Sequence, residues 1–175
     1  KGIAHIITRE PGGTALAEKI RSLLLDQGEE VLLPESELLL FFAGRYQHIQ
    51  HVIKPALREG LWVVSDRFVD ASFAYQGAGR GIEEERIQYL KEWLIGDLCP
   101  DHTLLLDAPP YIGLDRIKAR GALDRIEVEQ MDFFNRVREY YLQLADKEPT
   151  RFHIIDTRLC LEDVEENVQL WLRHL

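Results

Sequence analysis

The chain has 175 residues, 46% hydrophobic and 29% charged, which is enough to bury the core of one ordinary globular domain. Its net charge of −9 argues against a nucleic-acid-binding protein, and no apolar stretch approaches the ~20 residues of a membrane span. Cys99 and Cys160 lack metal-ligand spacing, so we expect free core thiols in a reducing cytoplasm.

Apolar runs and helical patterns alternate along the whole chain. In chain order they predict a strand (4–8), a helix (14–25), a helix kinked near Pro55 (36–59), a buried strand (61–65), a short helix (69–76), a mobile glycine-rich loop (77–81), a helix (83–95), a strand (103–107), a helix (110–119), a break (120–127), a helix (129–146), a strand (152–155) and a closing helix (161–172). This alternation predicts an α/β fold with a central parallel sheet flanked by helices on both faces. Ligands of such folds bind at the carboxyl edge of the sheet.

The first candidate segment, residues 8–14, follows the first strand and leads into a helix with Thr14 as its N-cap. Its glycines and proline predict a tight turn, and Arg9 at that turn would face the ligand crevice. The alternative is a turn whose charges are simply solvated.

The second candidate pair, Phe41 and Arg45, is spaced i and i+4, so both lie on one helix face. A ring beside a guanidinium can stack on a base and hold its phosphate. The alternative is a core phenylalanine with an arginine that reaches to solvent. We expect the neighbouring His48 to be a structural histidine with its hydrogen bonds satisfied.

The third segment begins where the strand over 61–65 ends, on Asp66 and Arg67. The carboxylate suits a metal ion and the guanidinium suits a phosphate. Ser72, Tyr75 and Gln76 lie on one side of the next helix and can hydrogen-bond a base edge and a sugar. This segment therefore indicates a phosphate-handling enzyme.

The fourth segment carries four cations within ten residues of an acidic chain, with Gly121 between two helical stretches. They are Arg116, Lys118, Arg120 and Arg125. A mobile lid with phosphate-binding arginines would have this composition. A solvated helix end is an equally open interpretation, because Lys and Arg favour helix C-termini.

In this order and spacing, these segments and residues 133–142 resemble the thymidylate kinase family, which phosphorylates dTMP. The resemblance covers nearly the whole chain. It implies a P-loop nucleoside monophosphate kinase fold, one kinase domain over 1–175, and a lid over about 116–127. It also implies ATP as co-substrate, Mg²⁺, and a homodimer formed through helices that match 14–26 and 36–52.

The resemblance also implies residue roles. It assigns dTMP binding to Arg9, Phe41, Arg45, Arg67, Ser72, Tyr75 and Gln76, catalysis to Asp66, Arg67, Arg116 and Arg120, and ATP binding to Arg116, Arg120, Asp156, Thr157 and Arg158. Phe41 would stack on thymine, and Tyr75 would lie against the 2′ side of the sugar and disfavour ribonucleotides. Asp66 would help to place Mg²⁺, directly or through water.

One departure from the family pattern concerns the phosphate-binding loop Gly-x-x-x-x-Gly-Lys-Ser/Thr, which this sequence lacks; only Gly12 and Gly13 resemble it. We expect the first strand, this loop and the first helix, about 30 residues in all, to precede Lys1. The chain would then be an N-terminally truncated kinase, inactive on its own. The alternatives are another nucleoside monophosphate or deoxynucleoside kinase, or a non-catalytic nucleotide-binding protein.

Overall fold

The computed structural model describes residues 2–121 and 123–175; for residues 119 and 120 it describes the backbone only. The chain divides into two compact units. The first comprises the chain through Leu98 together with Asp124–Val128, and the second comprises Cys99–Leu123 and Glu129–Leu175. The segment predicted to be a lid is therefore shared between the units, and the expected single domain stays a prediction.

The described part of the first unit contains two strands, five α-helices and two π-helical turns. These are β1 (His5–Arg9), α1 (Ala15–Leu25), α2 (Pro34–His48) with a π-helical turn (Ile49–Ile53), α3 (Lys54–Arg58), β2 (Trp62–Asp66), α4 (Asp70–Ser72) with a π-helical turn (Phe73–Gly79), and α5 (Glu84–Leu94). β1 and β2 pair in parallel, with Arg9 opposite Asp66. The charged ends of both strands thus meet at one carboxyl edge.

The second unit has the same alternation. Its elements are β3 (Thr103–Asp107), α6 (Pro110–Arg120), α7 (Met131–Lys147), β4 (Phe152–Asp156) and α8 (Leu161–His174). β3 and β4 pair in parallel, with Asp107 opposite Asp156. Trp171 of α8 stacks on His153 of β4 with ring centroids 5.6 Å apart, which fixes α8 against the strand.

Parallel strands flanked by helices are thus present as predicted, but the described strands form two two-stranded sheets, β1–β2 and β3–β4. The expected burial of residues 61–65 is wrong, because Trp62 and Val64 are 43% and 51% exposed. Successive strand side chains point to opposite faces, and only one face of β2 is covered within the described residues.

Helix α1 forms where the sequence predicts it. The Thr14 side chain accepts a hydrogen bond from the Ala17 amide at 3.1 Å, as an N-cap does. Ala17, Ile20 and Leu24 recur on one face and are buried. This face packs against α2, which brings α2 beside the turn that follows β1.

Two helical predictions need correction. The kink expected near Pro55 is a π-helical turn over Ile49–Ile53, before the proline. The mobile loop expected over 77–81 is wrong for its first half, because Phe73–Gly79 is helical. A Cβ on Gly77 would lie 3.2 Å from Cδ1 of Ile87, so this glycine permits close helix packing.

The cysteines and the helix lengths bear on two expectations from composition. Both cysteines are free, as expected, but both are exposed, so their placement in the core was wrong. Cys99 precedes β3, and Cys160 is the N-cap residue of α8. None of the helices described in residues 2–121 and 123–175 combines the length and the apolar composition of a membrane-spanning segment.

Candidate active site

The carboxyl edge of β1–β2 is the first place where predicted site residues meet. The Glu10 amide donates to the Asp66 carbonyl at 2.9 Å, which extends the ladder by one residue. Arg67 has φ +69°, a left-handed conformation that costs a non-glycine residue roughly 1–3 kcal/mol. The Ser65 hydroxyl donates a hydrogen bond to the Arg67 carbonyl at 2.8 Å. The Arg67 guanidinium lies 4.7 Å from the centre of the Tyr75 ring. The strained residue is therefore fixed at a defined position.

Arg45 is buried behind this edge, only 2% exposed. Its Nε donates to Glu10 Oε2 at 2.6 Å, its Nη1 to Ser72 Oγ at 2.9 Å and its Nη2 to the Phe68 carbonyl at 3.3 Å. Arg45 and Ser72 were both predicted from sequence, but the structure shows them bonded to each other. Because these three hydrogen bonds point in different directions, they fix the orientation of the Arg45 guanidinium.

Glu10 also binds His48, which is fully buried. Its Oε1 lies 2.9 Å from Nδ1 of His48, and Nε2 of the same ring lies 2.6 Å from Thr8 Oγ1. Both ring nitrogens therefore have partners, as expected for a structural histidine. Gly13 has φ +85°, and a Cβ there would collide with the His48 ring. The turn after β1 thus needs glycine for its conformation and for its contact with His48.

Arg9 takes part in a more exposed arrangement. Its Nη2 pairs with Glu18 Oε2 at 3.0 Å, and the Gly13 amide donates to Glu18 Oε1 at 3.0 Å. The hydrogen bond from Gly13, followed by that from Arg9, holds the pKa of Glu18 below its usual value. Arg9 is thus tied to α1, beside the edge where sequence predicts a dTMP contact.

Gln76 belongs to a second buried cluster in the same unit. It donates to Glu37, which also pairs with Arg80 and Arg125. Glu37 was not predicted as a site residue. Its signal in the sequence is its spacing, since Glu37, Phe41 and Arg45 follow each other at i, i+4 and i+8 on α2. Phe41 is half-buried on this helix.

The carboxyl edge of the second unit is organised around Asp107. Its carboxylate accepts Arg138 Nε at 2.7 Å and Nη2 at 2.8 Å, a bidentate pair. The hydrogen bonds that Arg138 donates to Asp107 raise the pKa of Arg138. The Thr157 amide and hydroxyl both donate to the Asp107 carbonyl, and Arg116 Nη2 donates to the Thr157 carbonyl at 2.8 Å. Asp107 and Arg138 were missed from sequence, although Asp107 ends a strand as Asp66 does.

Asp156 and Arg158 form an exposed pair at the same edge. Arg158 Nη2 lies 2.6 Å from Asp156 Oδ2. Hydrogen bonds from the side chain and amide of Arg158 lower the pKa of Asp156 to about 2. The structure thus brings Arg116 to Thr157, next to Asp156, whereas the Arg120 side chain lies outside the described residues.

Comparisons with known proteins identify the family of the chain. A family model described as thymidylate kinase matches residues 1–168. The chain belongs to the thymidylate kinase family.

The thymidylate kinase of Vesicomyosocius okutanii subsp. Calyptogena okutanii is 49% identical over the whole chain and 85% of its own length. That of Pseudomonas savastanoi pv. phaseolicola is 49% identical over the whole chain and 83% of its own length. The solved thymidylate kinase of Ehrlichia chaffeensis superposes with a TM-score of 0.76 at 35% identity, covering 96% of this chain and 80% of that one.

This membership confirms three expectations from sequence. The fold is that of a P-loop nucleoside monophosphate kinase, the protein is a phosphotransferase, and its reaction is the phosphorylation of dTMP. The predicted strand, phosphate loop and helix before Lys1 stay a prediction. So do the individual residue roles.

Proposed function

We propose that this protein transfers the γ-phosphoryl group of ATP to dTMP, giving dTDP and ADP, and that dTMP lies at the β1–β2 edge. The observation that carries this placement is the buried guanidinium of Arg45, fixed by Glu10 and Ser72 behind Arg67. Two guanidinium groups held in fixed positions, that of Arg45 by its hydrogen bonds and that of Arg67 over the Tyr75 ring, suit a phosphate that must be held in one orientation.

The reaction needs no side-chain nucleophile, because the attacking atom is a phosphate oxygen of dTMP. The protein contributes alignment and charge neutralisation. Arg67 and Arg45 would hold the acceptor phosphate, with Arg9 beside them. Phe41 would stack on the base, and Tyr75, held under Arg67, would contact the sugar.

Asp66 is the candidate residue for placing Mg²⁺. Within the described residues no three His, Cys, Asp or Glu side chains cluster as a metal cage would. Mg²⁺ in kinases is commonly held by one or two carboxylates, water and substrate phosphates, and the exposed Asp66 carboxylate at the strand end fits that donor set. When bound, the ion would neutralise charge on the transferring phosphates.

The β3–β4 edge would serve the ATP side of the reaction. The loop of Asp156, Thr157 and Arg158 would lie near the adenine. Arg116, whose guanidinium reaches the Thr157 carbonyl, and Arg120 would stabilise the transferring phosphoryl group from the lid.

A homodimer is part of the same proposal. Large apolar side chains are exposed on α1 and α2, namely Leu16 (50%), Leu23 (62%), Leu39 (57%) and Tyr46 (42%). A second copy packed on these helices would cover them. Sedimentation should show a dimer at micromolar concentration, and a monomer would contradict this part. The free thiols support a reducing, cytoplasmic location.

The function is tested by a substrate panel with the natural full-length protein. With ATP and Mg²⁺, dTMP should be phosphorylated with a higher kcat/KM than dUMP, UMP, CMP or thymidine. Preference for another member of the panel would identify a different kinase. Calorimetry separates a third case, because a binding module would hold dTMP without any turnover.

A further inference from the structure

Glu37 is a buried carboxylate that accepts hydrogen bonds on both of its oxygens; only 1% of the residue is exposed. Its Oε1 accepts from Gln76 Nε2 at 2.8 Å, and Arg80 Nε lies 3.4 Å away. Its Oε2 lies 2.6 Å from Arg125 Nη2 and 3.2 Å from Arg80 Nη2. Two guanidinium groups thus balance the buried charge, and a neutral amide faces it.

Arg125, which binds Oε2 of Glu37, is itself fixed by hydrogen bonds to backbone carbonyls. Arg125 donates from Nε to the Leu24 carbonyl at 2.8 Å and from its amide to the Leu25 carbonyl at 3.2 Å. Asp124 Oδ1 then accepts the amides of residues 126 and 127. The Glu37 carboxylate is consequently held in one rotation, with Oε1 presented to Gln76.

The polarity of the Gln76 amide follows from this contact. An ionised carboxylate can only accept hydrogen bonds. The NH₂ group of Gln76 must therefore face Glu37, and its carbonyl oxygen must face away. We propose that Glu37 is a positioning residue that fixes the Gln76 amide so that it offers an acceptor to the nucleobase. This inference rests on the proposed function and on the dTMP-binding role that the family resemblance assigns to Gln76.

The consequence is a selection between pyrimidines. Thymine carries a hydrogen on N3 and donates there, whereas N3 of cytosine accepts. A fixed carbonyl oxygen on Gln76 matches thymine and repels the lone pair of cytosine. Sites that are built to pair one hydrogen-bonding pattern reject the other strongly, because a mismatch leaves buried polar groups unpaired.

The experiment changes the polarity of Glu37 in the natural full-length protein. In Glu37→Gln, the new NH₂ group can face Gln76. The Gln76 amide would then rotate by about 180°, so that its oxygen faces residue 37 and its NH₂ group faces the base. The ratio of kcat/KM for dTMP to that for dCMP should fall by about tenfold to a hundredfold. The double variant Glu37→Gln with Gln76→Glu again places an acceptor toward the base and should restore much of the ratio. Glu35→Gln makes the same change at an exposed position of α2 and should leave the ratio unchanged.

Other outcomes overturn the proposal. If Glu37→Gln lowers turnover of both nucleotides by the same factor, or changes neither, Glu37 is only structural. A double variant with no recovered preference for dTMP also contradicts it. Absence of dTMP turnover in the unchanged protein overturns the proposed function together with this inference, whereas failure in the variants alone overturns only the role of Glu37.

A spectroscopic measurement decides the matter if Glu37→Gln does not fold. The side-chain NH₂ resonances of Gln76 in the unchanged protein can be assigned by their loss in Gln76→Leu. They should keep a strongly hydrogen-bonded shift and slow exchange when dTMP is added. A shift to solvent-exposed values on binding would show that the amide leaves Glu37, against the proposal.

Discussion

Arg45 and Arg158 make equally short ion pairs in very different surroundings. Arg45 lies 2.6 Å from Glu10 with both side chains at most 3% exposed, and Arg158 lies 2.6 Å from Asp156 with the two side chains 62% and 42% exposed. Distance alone therefore says little about what either pair contributes. A broken buried pair leaves an uncompensated charge, whereas an exposed pair is screened and replaced by water.

This contrast separates the two edges of the molecule by function. At the β1–β2 edge the arginine that would hold the acceptor phosphate is fixed before any nucleotide arrives, so little ordering remains for binding to impose. At the β3–β4 edge the Arg158–Asp156 pair is solvated, so Arg158 can exchange its partner for a phosphate. We therefore expect substitutions in the buried Glu10–Arg45 pair to act on folding, and substitutions of exposed charged residues at either edge to act mainly on binding or turnover.

The largest expected effect is that of Glu10→Ala. It removes the partner of both Arg45 and His48 and should destabilise the protein by about 3–5 kcal/mol, as measured by urea unfolding. Glu18→Ala is the matched control, because Glu18 pairs with an arginine at the same edge but is 42% exposed. A loss below about 1 kcal/mol for Glu10→Ala, the range of surface pairs, would contradict the comparison.

Arg120→Ala is expected to act on turnover alone. A lid arginine contacts the transferring phosphoryl group mainly in the closed, reacting state, so turnover should fall by about a hundredfold while dTMP affinity changes little. Kinetics and calorimetry on the full-length variant measure both quantities. If turnover survives, Arg116→Ala is the next test. Survival of both variants would mean that residues 116–127 are not a catalytic lid.

Arg67→Ala should lower dTMP turnover or affinity by one to two decades. The variant removes one charge-assisted bond to the acceptor phosphate, worth roughly 1.5–3 kcal/mol. Stability should change little, because Ala at φ +69° carries the same backbone strain as Arg. Arg58→Ala, on the exposed end of α3, controls for loss of a positive charge. Unchanged kinetics in Arg67→Ala would remove Arg67 from the site.

The sequence predicts the local features of this molecule well. The strand over Thr103–Asp107 has the predicted bounds, and Thr14 caps α1 as expected. Both depend on periodicity and capping within a few residues. The π-helical turns and the exposed faces of β2 were not predictable in this way, because they depend on which elements pack against which.

The same distinction between local signals and distant contacts applies to the residues of the candidate site. Asp66 and Arg67 were found because they end a strand, which is a local signal. The spacing of Glu37 with Phe41 and Arg45 shows only that they share a helix face. The buried contact of Glu37 was missed because its partner Arg125 is 88 positions away, and no local pattern reports such a contact. The Glu10–Arg45 pair joins residues 35 positions apart, so sequence identifies both segments but not the bond between them.

The smallest expected effect belongs to the exposed pair at the second edge. Arg158 lowers the pKa of Asp156 from 3.8 to about 2, so protons bind this carboxylate less readily in the folded state than in the unfolded state. The pair therefore stabilises the fold at pH values above 3.8, and this contribution is lost as the pH falls toward 2.

In Asp156→Asn the decrease in melting temperature over that interval should be shallower than in the unchanged protein. Asp101→Asn, which removes another exposed carboxylate of the same unit, should leave the decrease unaltered. Because water and salt screen the pair, the difference should be small and should shrink further at high ionic strength. A large difference that persists in high salt would show that Asp156 is held as firmly as Glu10, and the contrast between the two edges would then be wrong.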